Sequence, residues 1–565
     1  MKKILLLFAI TLMAQCAFAQ PKWLEKAKRA VFSVVTYDKD GKMLNSGNGF
    51  FVSEDGVALS DYSLFKGAHR AVIVNYEGKE MPVESIMGAD DMYDVLKFKV
   101  AITEKKVPAL PLAAVAPAVG AEVYLLPYST QKSRTFTAGK VKAVDKVADN
   151  YLYYTLDMHL KDKMVSCPLA TAEGEVFGLA QKATGQDTAS ICYAVDANYV
   201  MAQKISALSY SDMALKDIGI KKALPSTEEE ALVFLFMASS QLSPEKYMEV
   251  LNDFISQYPN NPEGYLRRAT QRELTATDEA AMDLVYDDMD KALDVASKKD
   301  DVHFSRSKMI YNYVLTHADK PYGDWSLDKA LEEARAAVDI QPLPVYVQLE
   351  GDILFAKGDY PAALEAYNTV NQSDLRSAAT FFTTAKIKEA MKEPAEEVLA
   401  LLDSCMACFN KPYTQEAAPY LLERAQARMV ADQARNAVVD YDAYYEAVNG
   451  NVNDVFYYYR EQAALKSRQY QRALDDLAKA IELNPKELTY RAELAVVNIR
   501  VGRNEEAVKI LKEALAIDDK YAEAYRLMGI AQMQMKQKAA ACESFAKAKE
   551  LGDPNVDALI EKNCK

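Results

Sequence analysis

The sequence predicts two domains of different fold class, an all-β domain at the N-terminal end and an all-α helical array behind it. Two observations support this prediction. Short runs of β-branched and aromatic residues, separated by Asp-Gly and Glu-Gly turns, lie before residue 206. Beyond residue 228 helical spacing dominates, and near the C-terminal end it repeats with a period of 34 residues. A chain of 565 residues, 50% hydrophobic and 26% charged, is long enough for both domains.

The charge balance excludes some classes of function. The chain has 67 Lys and Arg residues against 81 Asp and Glu residues, a net charge of −14. It lacks the basic footprint of a nucleic-acid-binding protein, and nothing suggests attraction to anionic lipid. We therefore expect no nucleic-acid partner. The chain has four histidines and no second Cys or His pair beside its Cys-x-x-Cys motif, so we also expect no metal and no cofactor.

Residues 1–19 are typical of a secretory signal peptide. Lys2 and Lys3 form a basic start, residues 4–13 form an apolar stretch too short to span a bilayer, and residues 17–19 fit the small-x-small cleavage rule. A retained membrane anchor is the alternative interpretation. No later segment is apolar enough to cross a membrane. We therefore predict an exported protein, periplasmic or secreted, from a Gram-negative bacterium.

An all-β domain is predicted from residue 24 to residue 205, after a short segment with helical spacing. Its candidate strands lie at 31–37, 47–65, 69–88, 93–100, 121–129, 151–157 and 175–180. Short strands joined by turns at this spacing indicate a barrel or a sandwich.

Three segments of this domain match one known arrangement. Gly-Asn-Gly at 47–49 leads through an Asp-Gly turn to Ser-Asp-Tyr-Ser-Leu-Phe at 60–65, Tyr-Asp-Val-Leu-Lys-Phe-Lys follows at 93–99, and the third segment runs over 156–169. On these residues the chain resembles the trypsin-like serine proteases of the HtrA/Deg type, over roughly residues 30–205. The resemblance implies a trypsin-like double β-barrel.

The resemblance also implies which positions correspond to the catalytic triad. The family's histidine, aspartate and serine fall on Ser63, Asp94 and Val165, and Lys163 replaces a glycine of the oxyanion hole. Acyl transfer by this triad needs a hydroxyl nucleophile and an imidazole base that is oriented by a carboxylate. Only the carboxylate of Asp94 is kept, and it is left orienting nothing. No catalytic residue is therefore expected, and the domain is interpreted as a pseudoprotease.

An alternative interpretation keeps an active site that has moved. Ser166 or Cys167 adjoins the Val165 position, and His159 lies nearby in the sequence, so a shifted nucleophile could have a histidine base. A different role for Cys167 follows from the resemblance. The family fold brings its segment close to that of Cys192, which implies a disulfide between the two.

Residues 206–227 have weak periodicity and indicate a linker, and helical spacing then runs from 228 to 562. Ala473, Ala507 and Ala541 are spaced 34 residues apart, and a large residue follows each of them after four positions. This pattern is typical of tetratricopeptide repeats (TPR), in which each unit is a pair of antiparallel helices that must stack on its neighbours. We predict seven to nine such hairpins. The clearest repeats lie at 344–377, 454–487, 488–521 and 522–555.

Six cysteines remain after removal of the signal peptide, an even number that suits disulfides in an oxidising compartment. Cys542 and Cys564 are placed to tie a terminal helix at 556–562 to the last repeat. Cys405 and Cys408 form a Cys-x-x-Cys motif toward the end of a helix, where the helix dipole opposes thiolate formation. A redox role is therefore disfavoured, and the motif is interpreted as buried small residues or an internal disulfide.

Two functional hypotheses follow. The first is an exported non-catalytic scaffold, in which a pseudoprotease barrel is joined to a TPR superhelix whose concave face binds a peptide or protein partner. The second is an active serine or cysteine endopeptidase with a rearranged site, in which the repeats act as a substrate adaptor. Substitution of Ser166 or Cys167 distinguishes them, because only the enzyme would lose activity.

Overall fold

The computed structural model describes residues 22–130, 136–147, 150–182, 190–320 and 322–564. The predicted signal peptide lies outside the described residues. The chain divides into two compact units, residues 1–296 and residues 297–565. The first unit holds the predicted β-domain and the first helices of the array, and the second unit is helical.

The first barrel is formed by six antiparallel strands that close in the order β1-β2-β3-β6-β5-β4. The strands are β1 (Val31–Tyr37), β2 (Met43–Phe51), β3 (Val57–Ser60), β4 (Arg70–Val74), β5 (Glu80–Asp90) and β6 (Val95–Val100). Strand β1 closes the barrel, because Val34 pairs with Gly47 of β2 on one side and Ser33 pairs with Val74 of β4 on the other. A short helix, α1 (Leu24–Lys28), precedes the barrel.

The second barrel has six further strands, in the closed order β10-β11-β12-β9-β8-β7. The strands are β7 (Glu122–Leu125), β8 (Thr137–Val147), β9 (Tyr151–Asp157), β10 (Pro168–Ala170), β11 (Val176–Gln181) and β12 (Cys192–Asp196), and helix α2 (Ala197–Ala202) follows them. The pairing of Leu169 with Leu125 closes this barrel. The predicted trypsin-like double barrel is thereby confirmed.

Each barrel closes around its own apolar core, because alternate residues of a strand face opposite sides of the sheet. In the first barrel the ring of Phe32 lies 4.7 Å from that of Phe51 and 6.2 Å from that of Phe98. In the second barrel the rings of Tyr154 and Phe177 lie 4.9 Å apart. All five side chains are buried. The loops between these strands are therefore held by two well-packed cores.

The predicted linker, 206–227, is folded onto the first barrel. It contains helix α3 (Met213–Lys216), and Ile218 is buried in the core cluster of the first barrel. Its backbone also bonds to β5, since the N–H of Ile86 donates to the carbonyl oxygen of Lys221 at 2.8 Å. The segment is therefore a packed part of the first unit.

The first helical hairpin shares this core. Helices α4 (Glu228–Gln241) and α5 (Pro244–Gln257) contribute Phe234 and Leu251 to the same buried cluster. The β-domain is consequently continuous with the start of the array.

The remaining helices form antiparallel pairs. In the first unit α6 (Pro262–Glu273) pairs with α7 (Glu279–Val295). In the second unit the pairs are α8 (Asp300–Thr316) with α9 (Leu327–Ile340), α10 (Pro344–Lys357) with α11 (Tyr360–Asn371), α12 (Ala378–Ala390) with α13 (Ala395–Met406), α14 (Ala418–Val430) with α15 (Ala434–Ala447), α16 (Asp454–Lys466) with α17 (Tyr470–Leu483), α18 (Leu488–Arg500) with α19 (Asn504–Ile517), and α20 (Ala522–Gln534) with α21 (Lys538–Glu550). A last helix is α22 (Asp557–Asn563). The described residues thus form nine hairpins, the upper value predicted.

The recurring small and large residues are all fully buried in α17, α19 and α21: Ala473, Ala507, Ala541, Leu477, Leu511 and Phe545. A small side chain lets the neighbouring helix approach, and the large one fills the groove beside it. Gly351 of α10 acts in the same way, because a Cβ there would lie 3.0 Å from the ring of Tyr367 in α11. The helical array is therefore confirmed, together with the physical reason for its pattern.

The two predicted disulfides have different outcomes. Cys542 and Cys564 form a disulfide that links α21 to the end of α22. Cys167 and Cys192 are free thiols, so the predicted bond between them is wrong. Cys167 precedes β10 and Cys192 begins β12, with β11 between these strands. Two strand spacings of about 4.8 Å exceed the Cα separation of about 7 Å that a disulfide can bridge.

Candidate functional site

The three positions that correspond to the protease triad lie around one cavity. Asp94 and Val165 line it, and Ser63 is bonded to Asp94. The cavity has a volume of about 560 Å³ and receives residues from both barrels. Its lining consists of Asp61, Met92, Tyr93, Asp94, Asp145, Lys146, Tyr153, Val165, Ser166, Gln181, Lys182 and Tyr193. The structure therefore brings together the positions that the sequence comparison singled out.

Asp94 has a hydrogen-bonding partner in Ser63. The backbone N–H of Ser63 donates to Oδ1 of Asp94 at 2.7 Å, and the Ser63 hydroxyl donates to Oδ2 at 3.1 Å. Asp94 directly precedes β6 with a φ of 50°, in the left-handed region that aspartate adopts more readily than most residues. The expectation that Asp94 orients nothing is therefore wrong, because it orients a serine where the protease family has its imidazole.

Val165 lies in the loop that leads into β10. It follows a short 3-10 turn at Asp162–Met164, and its half-buried side chain faces the cavity. A valine side chain has no atom that can attack a carbonyl group or donate a hydrogen bond. The loop thus presents an apolar surface at the nucleophile position.

The backbone N–H groups of this loop bond within the protein. The N–H of Met164 donates to the carbonyl oxygen of Lys161 at 2.8 Å, and the N–H of Ser166 donates to that of Ala180 at 2.8 Å. The N–H of Cys167 lies 3.4 Å from the carbonyl oxygen of Met164. An oxyanion hole needs N–H groups that point at the substrate oxygen on which charge develops. These three N–H groups point at carbonyl oxygens of the chain.

Asn48 of β2 holds the same loop from the opposite barrel. It is buried, and its Nδ2 donates to the carbonyl oxygens of Lys163 at 3.0 Å and Val165 at 2.8 Å. Both carbonyl groups are thereby turned toward the first barrel. Sequence analysis did not identify Asn48 as a site residue. The available sequence signal was the placement of a polar residue directly between Gly47 and Gly49 in a predicted strand.

Asp61 is a buried carboxyl group beside Ser166 and Asp94. Burial, followed by the negative charge of Asp94, raises the pKa of Asp61 to about 7. A hydrogen bond with the Ser166 side chain acts in the opposite direction. Ser166 is itself 1% exposed and has a φ of 65°, a conformation that favours glycine. The edge of the cavity therefore holds an acid that titrates near neutral pH, which sequence analysis also missed.

The residues of the rearranged-site hypothesis have unfavourable environments. Cys167 is fully buried, and burial raises the pKa of its thiol to about 12. It is therefore protonated near neutral pH, whereas the thiolate is the nucleophilic form. His159 is exposed, and its charge acts on the carboxylate of Asp162.

The Cys-x-x-Cys motif lies at the C-terminal end of α13, as its sequence context predicts. Cys405 is buried and Cys408 is exposed, and both are free thiols. Burial, followed by the charge of Cys408, raises the pKa of Cys405 to about 12. Of the two interpretations of the motif, the internal disulfide is wrong, and burial holds for Cys405 but not for Cys408.

Gln181 of β11 connects the second barrel to the first at this cavity. Its Nε2 donates to the carbonyl oxygen of Tyr93 at 2.5 Å, and its Oε1 accepts from the hydroxyl of Tyr153 at 2.9 Å. Tyr93 packs edge-on against Tyr199, with ring centroids 5.3 Å apart. No sequence signal pointed to these contacts, because their partners are far apart in the chain.

Metal and membrane sites can be judged for the part of the chain that the structure describes. There, no group of three or more His, Cys, Asp or Glu side chains is arranged to hold a metal ion. Within the same residues, no helix combines the length and the apolar character that crossing a bilayer requires.

Family comparisons match the two parts of the chain separately. The family described as trypsin-like peptidase domain matches residues 47–179, a range that contains Ser63, Asp94 and Val165. The family described as tetratricopeptide repeat matches residues 464–530, from the end of α16 into α20.

Among curated proteins the chain is similar to repeat proteins. "Small glutamine-rich tetratricopeptide repeat-containing protein 2" of Mycosarcoma maydis is 31% identical over 96 residues, which cover 17% of this chain and 27% of that protein. "TPR repeat-containing protein MJ1428" of Methanocaldococcus jannaschii is 22% identical over 288 residues, which cover 47% of this chain and 48% of that protein. The chain spans less than half the length of each of these relatives.

Among solved structures, the chain matches "HtrA-type protease AlgW with tripeptide" at 18% identity and a TM-score of 0.27, with coverage of 32% of this chain and 60% of that chain. The two closed six-stranded barrels and the helical hairpins agree with the two family matches. The chain therefore combines a trypsin-like peptidase domain with tetratricopeptide repeats.

Proposed function

We propose that this protein is an exported, non-catalytic interaction scaffold. In this proposal the trypsin-like domain keeps a ligand-sized cleft but not the chemistry of acyl transfer, and the repeats bind a protein partner. Tetratricopeptide repeats present extended binding surfaces. The family match and the curated repeat relatives support that general role.

The observation that carries the non-catalytic part is the loop around Val165. Replacing the nucleophile and base of a triad lowers the rate by several orders of magnitude. Here the N–H groups of Met164 and Ser166 also donate to carbonyl oxygens of the chain, and Asn48 holds two further carbonyls of the loop. These bonds hold the loop in a conformation in which the apolar Val165 side chain occupies the nucleophile position.

Partner binding is proposed on the concave face of the array, which the first helices of TPR hairpins line in such folds. Tyr458 of α16 is half-buried, and its ring lies 6.0 Å from that of Tyr459, which is 47% exposed. The half-buried Glu493 of α18 also acts on Tyr458 through its charge, so a carboxylate accompanies the tyrosines. Tyrosine offers a large contact area with one polar tip. These features support an extended peptide or a partner helix as the ligand.

Export is proposed from residues 1–19, whose composition is that of a signal peptide. The Cys542–Cys564 disulfide supports the same proposal, because such bonds persist in oxidising compartments such as a bacterial periplasm.

The test of the proposal is a cleavage assay on the mature full chain, with trypsin as a positive control. The protein is incubated with fluorescently labelled unfolded casein and, separately, with a fluorophosphonate and a cysteine-directed probe. A Cys408→Ser background is used for the cysteine probe, because Cys408 is an exposed free thiol. We expect neither cleavage nor site-specific labelling.

Cleavage that disappears in Ser166→Ala or Cys167→Ala would overturn the proposal in favour of the rearranged endopeptidase. Labelling that disappears in the same variants would have the same meaning.

A further inference from the structure

A second cavity, of about 370 Å³, lies within the first unit where the first barrel meets the linker and helix α5. Its lining includes Lys39 and His69 of the first barrel, residues 219–222 of the linker (206–227), and Lys246 and Val250 of α5. This cavity shares no lining residue with the one around Asp94. Its chemistry is therefore independent of the protease-like site.

Backbone hydrogen bonds fix the walls of this cavity. The N–H of Gly219 donates to the carbonyl oxygen of Ala68 at 2.7 Å, and the N–H of Ala223 donates to that of Ile86 at 2.8 Å. Gly219 also lies directly against the ring of His69, where a Cβ would come within 2.5 Å of a ring carbon. A ligand would thus enter a preformed site, which lowers the ordering cost of binding.

The lining carries an excess of positive charge. Lys39, Lys221, Lys222 and Lys246 face a single carboxylate, Glu249. Lys221 is neutralised, since its Nζ lies 2.5 Å from a carboxylate oxygen of Asp253. Among the described residues, the ion pairs within 4.0 Å include none formed by the other three lysines. This concentration of positive charge contrasts with the net charge of −14 of the chain.

Lys222 occupies the most confined position among these lysines. Its Nζ donates one hydrogen bond, to the carbonyl oxygen of Ile218, and an ammonium group has three N–H donors. Burial, followed by the positive charge of Lys246, lowers the pKa of Lys222 to about 8. An anion in the cavity would accept a free N–H and supply the missing negative charge.

The rest of the lining is apolar or aromatic. Ile220, Leu242 and Val250 lie beside the lysines, together with Tyr210. A purely inorganic anion would leave this surface unused, whereas pockets of a few hundred Å³ commonly combine an apolar wall with a few polar anchors. We propose that this cavity binds a small organic anion, a carboxylate or phosphate ester with an apolar portion, through Lys222 and Lys246.

The test uses isothermal titration calorimetry on the mature full chain at neutral pH and low salt. Four probes share one ring and differ in charge: benzoate, phenyl phosphate, benzyl alcohol and benzylamine. We expect at least one of the two anions to bind and the neutral and cationic probes not to bind. Which anion binds identifies the ligand class.

Three variants locate the site. Lys222→Met removes the positive charge and keeps a similar side-chain length. It should weaken anion binding by about tenfold, because one charge-assisted hydrogen bond to the anion is lost. Lys246→Gln, at an exposed position of α5, should weaken it several-fold. Lys142→Gln, an exposed lysine on β8 of the second barrel, is the matched control and should leave the affinity unchanged.

Circular dichroism checks that each variant is folded. If Lys222→Met does not fold, the result for Lys246→Gln decides the test. The proposal is overturned if neither anion binds, if benzyl alcohol binds as tightly as benzoate, or if the folded lysine variants keep the wild-type affinity.

Discussion

Ser63 donates two hydrogen bonds to Asp94, one from its backbone N–H at 2.7 Å and one from its hydroxyl at 3.1 Å. The carboxylate is therefore satisfied without an imidazole, and Asp94 keeps a structural role in holding the turn after β3. A histidine introduced at position 63 would regain a carboxylate partner. It would still face Val165 and a loop in which the N–H groups of Met164 and Ser166 donate to carbonyl oxygens of the chain.

We therefore predict that Ser63→His combined with Val165→Ser does not restore proteolysis. The expected rate of casein cleavage is that of the wild-type protein, because Lys163 still replaces the glycine of the oxyanion hole and the N–H groups of Met164 and Ser166 donate to carbonyl oxygens of the chain. The same assay on trypsin sets the scale, and near-ultraviolet circular dichroism checks that the double variant is folded. Cleavage well above the wild-type background would show that the missing side chains alone account for the lack of activity.

Asn48→Ala should destabilise the first unit by about 1–3 kcal/mol, because two partly buried carbonyl groups lose their donor. The side chain bonds to Lys163 and Val165 across the two barrels. Urea unfolding followed through Trp23 fluorescence measures the change, in a Trp325→Phe background because the chain has two tryptophans. Asn45→Ala is the control, since the exposed Asn45 amide lies 3.5 Å from its carbonyl partners.

A second expected result of Asn48→Ala concerns the loop itself. Amide hydrogen exchange at residues 162–167 should accelerate in this variant and not in Asn45→Ala. Equal stability of the two variants, with unchanged exchange, would contradict the role given to Asn48.

Asp61 should make the stability of the first unit depend on pH near neutrality. Its pKa is about 7 in the folded protein against a reference value of 3.8, so between these values the folded state binds more protons than the unfolded state. The free energy of unfolding therefore falls as pH rises through this window. Asp61→Asn should remove this dependence. Its stability relative to the wild type should therefore rise by about 3 kcal/mol between pH 5 and pH 8.

The measurement is the difference in unfolding free energy between wild type and Asp61→Asn at each pH. Taking this difference cancels other groups, such as Glu461 in the second unit, whose pKa is raised to about 8 by burial and then by Glu493. A constant difference from pH 5 to pH 8 would show that Asp61 is ionised throughout that range.

The array was predictable because its packing repeats. Every interface between hairpins needs a small residue where the helices meet, so Ala473, Ala507 and Ala541 recur at one spacing and are all fully buried. Strand β8 was not predicted, because it begins with Thr-Ala-Gly and carries four charged residues among its eleven, which leaves a weak β pattern.

The site was predictable only at the triad positions, which lie in segments that resemble a known family. The contacts of Asn48 join residues 115 and 117 positions apart, and no local pattern encodes them. The burial of Asp61 depends in the same way on the meeting of both barrels. The wrong disulfide between Cys167 and Cys192 arose because nearness of two segments does not reveal the strand that lies between them.

Loss of the Cys542–Cys564 disulfide should loosen the C-terminal end of the array. The bond closes 22 residues of chain, so the chain-entropy estimate gives about 3 kcal/mol. Cys564→Ser should therefore increase amide exchange and proteolysis in α22 and α21 and leave α8 to α15 unaffected. Cys408→Ser, at an exposed free thiol, is the control and should change neither. Equal protection of α22 in both variants would mean that packing alone holds this helix.

Asp476 should be essential for the stability of the α16–α17 hairpin. Nε and Nη2 of Arg460 donate to its two carboxylate oxygens at 3.0 and 2.6 Å, and Asp476 is 3% exposed. Arg424 and Asp440 form the same two-bonded pair in the preceding hairpin. Asp476→Ala leaves Arg460 with Asp442 as a remaining carboxylate partner at 3.1 Å, so we expect a loss of about 1.5–3 kcal/mol, the range for hydrogen bonds to charged groups.

Removing both charges should cost much less, because a buried ion pair adds little stability over apolar residues of similar size. The comparison is between Asp476→Ala and the double variant Arg460→Met/Asp476→Leu. Thermal unfolding is followed through Trp325 fluorescence, in a Trp23→Phe background so that the signal comes from the second unit. Asp475→Ala is the matched control, since this exposed carboxylate accepts from Gln471 one turn away in the same helix. If the double variant is as unstable as Asp476→Ala, the pair itself stabilises the hairpin. If it is close to wild type, the pair serves mainly to keep the buried arginine neutralised.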